Sequence, residues 1–124
     1  MLEHGYLFRV ERPHGLAVGR RQPAAWSRGR IYRDVDYVDH DLHVELDGRL
    51  FHDNAEGRDR DLDRDLDAYV EGWLTVRLGW GQVFGRPCAT AERIGMLLQQ
   101  RGWGGFVLPC PECATAPGLI VPGS

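Results

Sequence analysis

The chain of 124 residues is 43% hydrophobic and 27% charged, the balance of one globular domain with a modest core rather than of a disordered segment. Its net charge of -3 withholds the overall basic field expected of a strong nucleic-acid binder. No apolar run approaches the roughly 18 residues of a membrane span, and the start MLEHGYLFRVERPHG lacks the apolar core of a secretion signal, so a cytoplasmic protein without membrane association is expected.

Residues 1 to 12 fit a short helix or a strand, with Leu2, Tyr6, Leu7 and Val10 as a loose apolar stripe. Pro13, Gly15 and Gly19 interrupt regular structure after it, residues 22 to 26 suit an extended segment, and SRGR at 27 to 30 suits a turn. IYRDVDYV at 31 to 38 alternates and is rich in β-branched and aromatic residues, which predicts a strand. A tight connection at Asp39-His40 leads into DLHVELD at 41 to 47, the second arm of an antiparallel hairpin. From Ala55 to Val70 the period becomes helical, with Leu62, Leu66, Tyr69 and Val70 as the expected buried stripe and Gly72 as the stop. WLTVRLGW at 73 to 80 predicts a strand, and Thr90 is placed to cap a last helix ending near Arg101, with Ala91, Ile94, Leu97 and Leu98 inward. The remainder, 102 to 124, reads as an irregular tail. The sum is a single α/β domain without repeats or an internal linker.

Charge is unevenly placed. Residues 9 to 33 hold seven Arg against Glu11 alone, whereas 34 to 71 are strongly acidic, and the chain has no Lys. A basic arm beside an acidic cluster suits a phosphate backbone with a metal between the two; a solvated surface of mixed charge accounts for the same pattern. The cysteines are Cys88, Cys110 and Cys113, the last two in CPEC. An odd count without a secretion signal argues against a disulfide framework. CPEC is half of a candidate zinc site, with Cys88 and a His to complete it; three unligated thiols are the alternative.

The acids of the hairpin carry the chemistry. Period-2 geometry sends Leu42, Val44 and Leu46 to the core and Asp41, His43, Glu45 and Asp47 to the other face. Asp36 on the preceding strand is expected beside Glu45, while Asp41 and His43 are expected to be peripheral. Clustered carboxylates raise one another's pKa, so water, an Arg or a divalent cation should compensate, and hard oxygens suit Mg2+ or Mn2+. His52 is placed for proton transfer and Arg60 or Arg64 for a phosphate. Simpler roles fit the same spacing: Asp36 facing solvent or Arg33, His52 on the surface, Arg64 offsetting Asp61 and Asp65.

Asp36, Glu45-Leu46-Asp47-Gly48, His52, Asp61-Leu62-Asp63-Arg64-Asp65 and Gly72-Trp73-Leu74-Thr75-Val76-Arg77 together resemble the very-short-patch-repair-like (Vsr-like) endonuclease domains of the PD-(D/E)xK nuclease superfamily, in particular actinobacterial proteins of this type. The similarity runs from about residue 15 to residue 101. It implies one nuclease-like domain over 1 to 124, with a restriction-endonuclease-like mixed sheet flanked by helices. It also implies metal-dependent hydrolysis of DNA by an endonuclease or nickase, with Mg2+ or Mn2+ on Asp36 and Glu45 and with Arg64 in support. Asp47 stands where the superfamily signature has Lys, so Asp47 becomes an additional ligand or His52 carries the proton work. Zinc-bearing relatives add interest to Cys88, Cys110 and Cys113 as structural zinc ligands. Expected partners are DNA and an upstream winged helix-turn-helix module or another protein. Because the fold also serves proteins that bind without cutting, the alternative is a non-catalytic regulatory domain of an antitoxin-like repressor.

Overall fold

In the computed structural model, residues 2–21, 25–27, 30–46 and 55–113 are described. The chain opens with helix α1 (Leu2–Gly5), which continues as a wider π-type turn over Tyr6–Glu11. Strands β1 (Arg20–Arg21), β2 (Ala25–Ser27) and β3 (Arg30–Tyr37) come next, then a 3-10 turn at Val38–His40 and β4 (Leu42–Leu46). Helix α2 (Ala55–Val70), β5 (Leu74–Leu78), a π-type turn at Gly81–Gly85 and α3 (Pro87–Gln100) complete the order. The strands form a mixed sheet in the order β1-β3-β4-β5, with β2 paired to the first half of β3. β1, β3 and β4 are antiparallel neighbours, and β5 lies parallel to β4. Parallel pairing needs a long crossover connection, usually a helix, and α2 lies in that connection. The coarse α/β class is therefore observed, and among the described residues no helix is long and apolar enough to cross a membrane.

The hairpin turns at Asp41, whose φ of 52° is left-handed, a conformation that Asp tolerates better than most residues. Its amide donates to the Val38 carbonyl. Val35, Tyr37, Leu42, Val44, Leu46 and Leu78 send one face of the sheet into the core against Leu2, Tyr6, Val10, Val83, Ala91, Ile94 and Leu98. At its centre the hydroxyls of Tyr6 and Tyr37 share a hydrogen bond of 2.6 Å, which satisfies both phenols where water is excluded. α2 ends as expected at Gly72, with φ 93° and the Trp73 amide donating to the Ala68 carbonyl, a Schellman closure that only a residue free to adopt positive φ makes without strain.

Four expectations change. The helical stripe of α2 is not buried: Leu62 is 58% exposed, Leu66 60% and Val70 82%, and Tyr69 is exposed as well. The sheet face beneath α2 is polar, so the helix turns Arg64, Asp65 and Ala68 toward it and its apolar positions swing outward. Thr90 does not cap α3, which starts at Pro87, a residue suited to a first turn; its hydroxyl instead donates to the Gln82 carbonyl at 2.8 Å. The strand expected over 73–80 is confined to 74–78. Asp36 is not the partner of Glu45: the register pairs Asp34 with Glu45 and Asp36 with His43. The expected turn at SRGR falls partly outside the described residues.

These placements predict opposite outcomes for two leucines. Leu42→Ala, in a fully buried position, should cost about 2–5 kcal/mol. Leu66→Ser should change stability by less than about 0.5 kcal/mol. Urea unfolding monitored by circular dichroism checks both.

Candidate functional site

On the face opposite the core, β3 supplies Asp34 and Asp36, β4 supplies His43 and Glu45, and β5 supplies Thr75 and Arg77. Pairing alone aligns them: Asp34 sits across from Glu45, which sits across from Arg77, while Asp36 sits across from His43 and then Thr75. α2 closes over this face. The result is a cleft of about 260 Å³ lined by Asp34, Asp36, His43, Glu45, Arg64, Asp65, Ala68, Trp73 and Thr75.

Glu45 is buried and takes two cations. Arg77 Nε donates to Oε2 at 2.9 Å, and Arg64 Nη2 donates to Oε1 at 3.3 Å. Arg77 also pairs with Asp65 on α2 at 3.3 Å. Burial raises the Glu45 carboxyl above its ordinary range, against the opposing pull of Arg64 and Arg77.

His43 lies between two acids. Its Nδ1 is hydrogen bonded to Asp36 Oδ1, its Nε2 is 3.3 Å from Asp34 Oδ2, and Glu45 Oε1 lies 3.9 Å from the same nitrogen. Burial alone would lower the imidazole, but the hydrogen bonds and charges of Asp34 and Asp36 outweigh it and hold the group at about 9. At neutral pH it is therefore an imidazolium. Counting Arg64 and Arg77, three cations face the carboxylates of Asp34, Asp36, Glu45 and Asp65. Asp34 Oδ1 is buried and has no hydrogen-bond partner among the described residues.

Asp36, Glu45 and Arg64, expected in one site from the sequence, are thus brought to one cleft. Asp47 and His52 lie outside the described residues. His43, expected at the periphery, stands at the centre, and Asp34 joins it; Asp41 is exposed and does not line the cleft. The missing signal was register. The alternation shows which residues share a face but not which face each other across the hairpin, and a shift of two residues keeps the face while changing every partner. Asp65 and Arg77 are visible as charges in the helix and strand, yet their pairing depends on how α2 rotates.

A second cluster lies elsewhere. His14, in the turn after the π-type segment, is wholly buried, and its ligand nitrogen and the sulfurs of Cys88, Cys110 and Cys113 all lie within 4.8 Å of one another. The His sought for the candidate zinc site is therefore His14. All three cysteines are free thiols. The cluster can hold a metal of zinc type; its soft donors do not suit Mg2+ or Mn2+.

Comparison of the chain with protein-family models, with curated proteins and with solved structures gave no match.

The position of His43 has a pH signature. Its pKa is higher folded than unfolded, so the stabilisation is complete below about 6.5 and is lost as pH rises through about 9. Without added Mg2+ or Mn2+, the wild type should lose on the order of 2–3 kcal/mol across that window relative to His43→Gln. Urea midpoints measured against pH check this, and an NMR titration should place the imidazole near the same value.

Proposed function

We propose that the carboxylate cleft is the active site of a metal-dependent phosphodiester hydrolase, an endonuclease or nickase acting on DNA. The observation that carries the reading is one face of a β3–β4 hairpin presenting Asp34, Asp36 and Glu45 with His43 among them. The topology is compatible with it: a helical segment, an antiparallel run of strands, a helix, and a parallel strand beside the acid-bearing one, an order that a restriction-endonuclease-like core would also have.

The donors fit a hard divalent cation. Asp34, Asp36 and Glu45 offer carboxylate oxygens, and Asp34 Oδ1 is a buried acceptor that no group among the described residues satisfies. Bound there, Mg2+ or Mn2+ would supply charge neutralisation at the phosphoryl oxygens and activation of water. The residues of the chain divide the remaining work. His43, hydrogen bonded to Asp36 and facing Asp34, is placed to move a proton at the leaving oxygen. Arg64, half exposed over Glu45, has the reach to meet a phosphate by a forked hydrogen bond. Trp73, at the cleft wall, offers a ring face on which a nucleobase can stack. On sequence grounds alone, Asp47 and His52 belong to this assignment, as a further ligand and a proton acceptor.

A second reading rests on a different observation. Arg64, Arg77 and His43 already compensate the acids, as a structural ion network would, and this favours a non-catalytic regulatory or interaction domain, such as part of an antitoxin-like repressor with its DNA-binding module elsewhere.

Supercoiled plasmid incubated with the protein and Mg2+ or Mn2+ separates the two. Hydrolysis predicts nicked or linear product, with Asp34→Asn, Asp36→Asn and Glu45→Gln each lowering the rate by about 100-fold or more. Intact plasmid, together with no heat of Mg2+ or Mn2+ binding in calorimetry, establishes the second reading instead.

A further inference from the structure

We infer that His14, Cys88, Cys110 and Cys113 form a closed tetrahedral site for a single Zn2+, which clasps the segment after α3 to the turn beyond the N-terminal helix. The cluster shares no residue with the cleft, and its role does not depend on the function proposed for that cleft.

The imidazole decides the matter. His14 is wholly buried, and its Nδ1–H donates to the Val10 carbonyl at 2.8 Å. That bond fixes the tautomer and leaves Nε2 as a bare lone pair, which is buried and has no hydrogen-bond partner among the described residues. An unsatisfied buried nitrogen costs free energy on the order of 1–3 kcal/mol. A histidine whose other nitrogen is anchored to a backbone carbonyl is the usual arrangement of a metal ligand.

The sulfurs complete the set. Cys88 Sγ lies 3.4 Å from Cys110 Sγ, and Cys113 Sγ lies 3.6 Å from Cys110 Sγ. Zn–S bonds of about 2.3 Å place the sulfurs of a tetrahedral site about 3.7 Å apart, so the observed spacing is already close to that of one ion and leaves no room for a multi-iron cluster. Three thiols cannot all pair as disulfides. The Cys110 amide donates to Cys113 Sγ at 3.2 Å and the Cys113 amide to the Cys110 carbonyl at 3.1 Å, which folds the CPEC turn around one point and places a donor on a sulfur that would carry negative charge. Cys88 sits in the first turn of α3, which brings its sulfur to the CPEC turn. On binding, the three thiols release their protons to solvent. Three Cys and one His fill all four positions, the pattern of a structural and not a catalytic zinc.

The mechanical role depends on what else holds the segment. Residues 102–113 contain no helix or strand beyond short turns. The Leu108 amide donates to the His14 carbonyl at 2.7 Å, and Gln99 Nε2 donates to the Gly105 carbonyl at 3.1 Å. A four-ligand ion would add a far stronger tie at the same place.

The test uses the full chain, reconstituted with Zn2+ and freed of excess by gel filtration. About one zinc per chain is expected by elemental mass spectrometry. Replacement by Co2+ should give thiolate-to-metal charge-transfer absorption and the visible bands of a tetrahedral ion. Chelation should lower the melting temperature by about 10 °C or more, restored by Zn2+ and not by Mg2+. His14→Gln and Cys113→Ser should weaken zinc binding at least about 10-fold, whereas Glu112→Gln and the cleft variant Glu45→Gln should keep it. If the ligand variants fail to fold, the stoichiometry and the Co2+ spectrum of the wild type decide. Zinc below about a tenth of an ion per chain, a Co2+ spectrum without thiolate bands, or a Cys88–Cys110 disulfide in that reconstituted protein overturns the assignment.

Discussion

The buried carboxylate of Glu45 is the point on which the polar half of the molecule turns. It belongs to β4, accepts from Arg77 on the neighbouring strand β5, and accepts again from Arg64 on α2. One side chain thus ties together the acid-bearing strand, its parallel partner and the helix between them. The rotation of α2 is set by these charges and by the Arg77–Asp65 pair, not by its apolar stripe, which is why Leu62, Leu66 and Val70 face outward. Removing one partner of such a buried network leaves the others uncompensated, a far larger penalty than the network's net contribution to stability.

The sheet therefore has two characters. Its inner face is ordinary close packing among Val35, Tyr37, Leu42, Val44 and Leu46 and the helices behind them. Its outer face is an electrostatic layer in which His43 and two arginines meet four carboxylates. Keeping both requires the strict alternation of β3 and β4, because a one-residue slip would bury the acids and expose the core. The same alternation delivers Asp34, Asp36, His43 and Glu45 to one cleft, on strands rather than on loops.

Much of this is legible in the sequence, for definable reasons. Period-2 alternation in IYRDVDYV and DLHVELD marks the hairpin and its two faces, and Gly72 marks the end of α2 because the chain needs positive φ there. Local pattern is blind to whatever depends on a partner. It assigns Asp36 to Glu45, whereas the register gives Asp36 to His43. The stripe of α2 suggests burial because an apolar stripe usually finds a core, but the surface beneath this helix is polar. Thr90 resembles a cap, yet Pro87 begins the helix. His14 carries no local mark at all: its cluster takes a cysteine in α3 and two in the segment beyond it, brought together only by the finished fold.

That dependence has a consequence for the order in which the chain acquires structure during synthesis. The Leu108 amide bonds to the His14 carbonyl, and Tyr6 and Val10 share the core with Ile94 and Leu98 of α3. Segments early in this sequence are thus completed by segments late in it. Contacts of such long sequence separation form slowly, and until α3 has formed, the apolar side of the first helix and of the hairpin lacks the cover that Ile94 and Leu98 give it. A core left partly uncovered until its last helix docks is the condition in which chaperone capture or aggregation competes with folding.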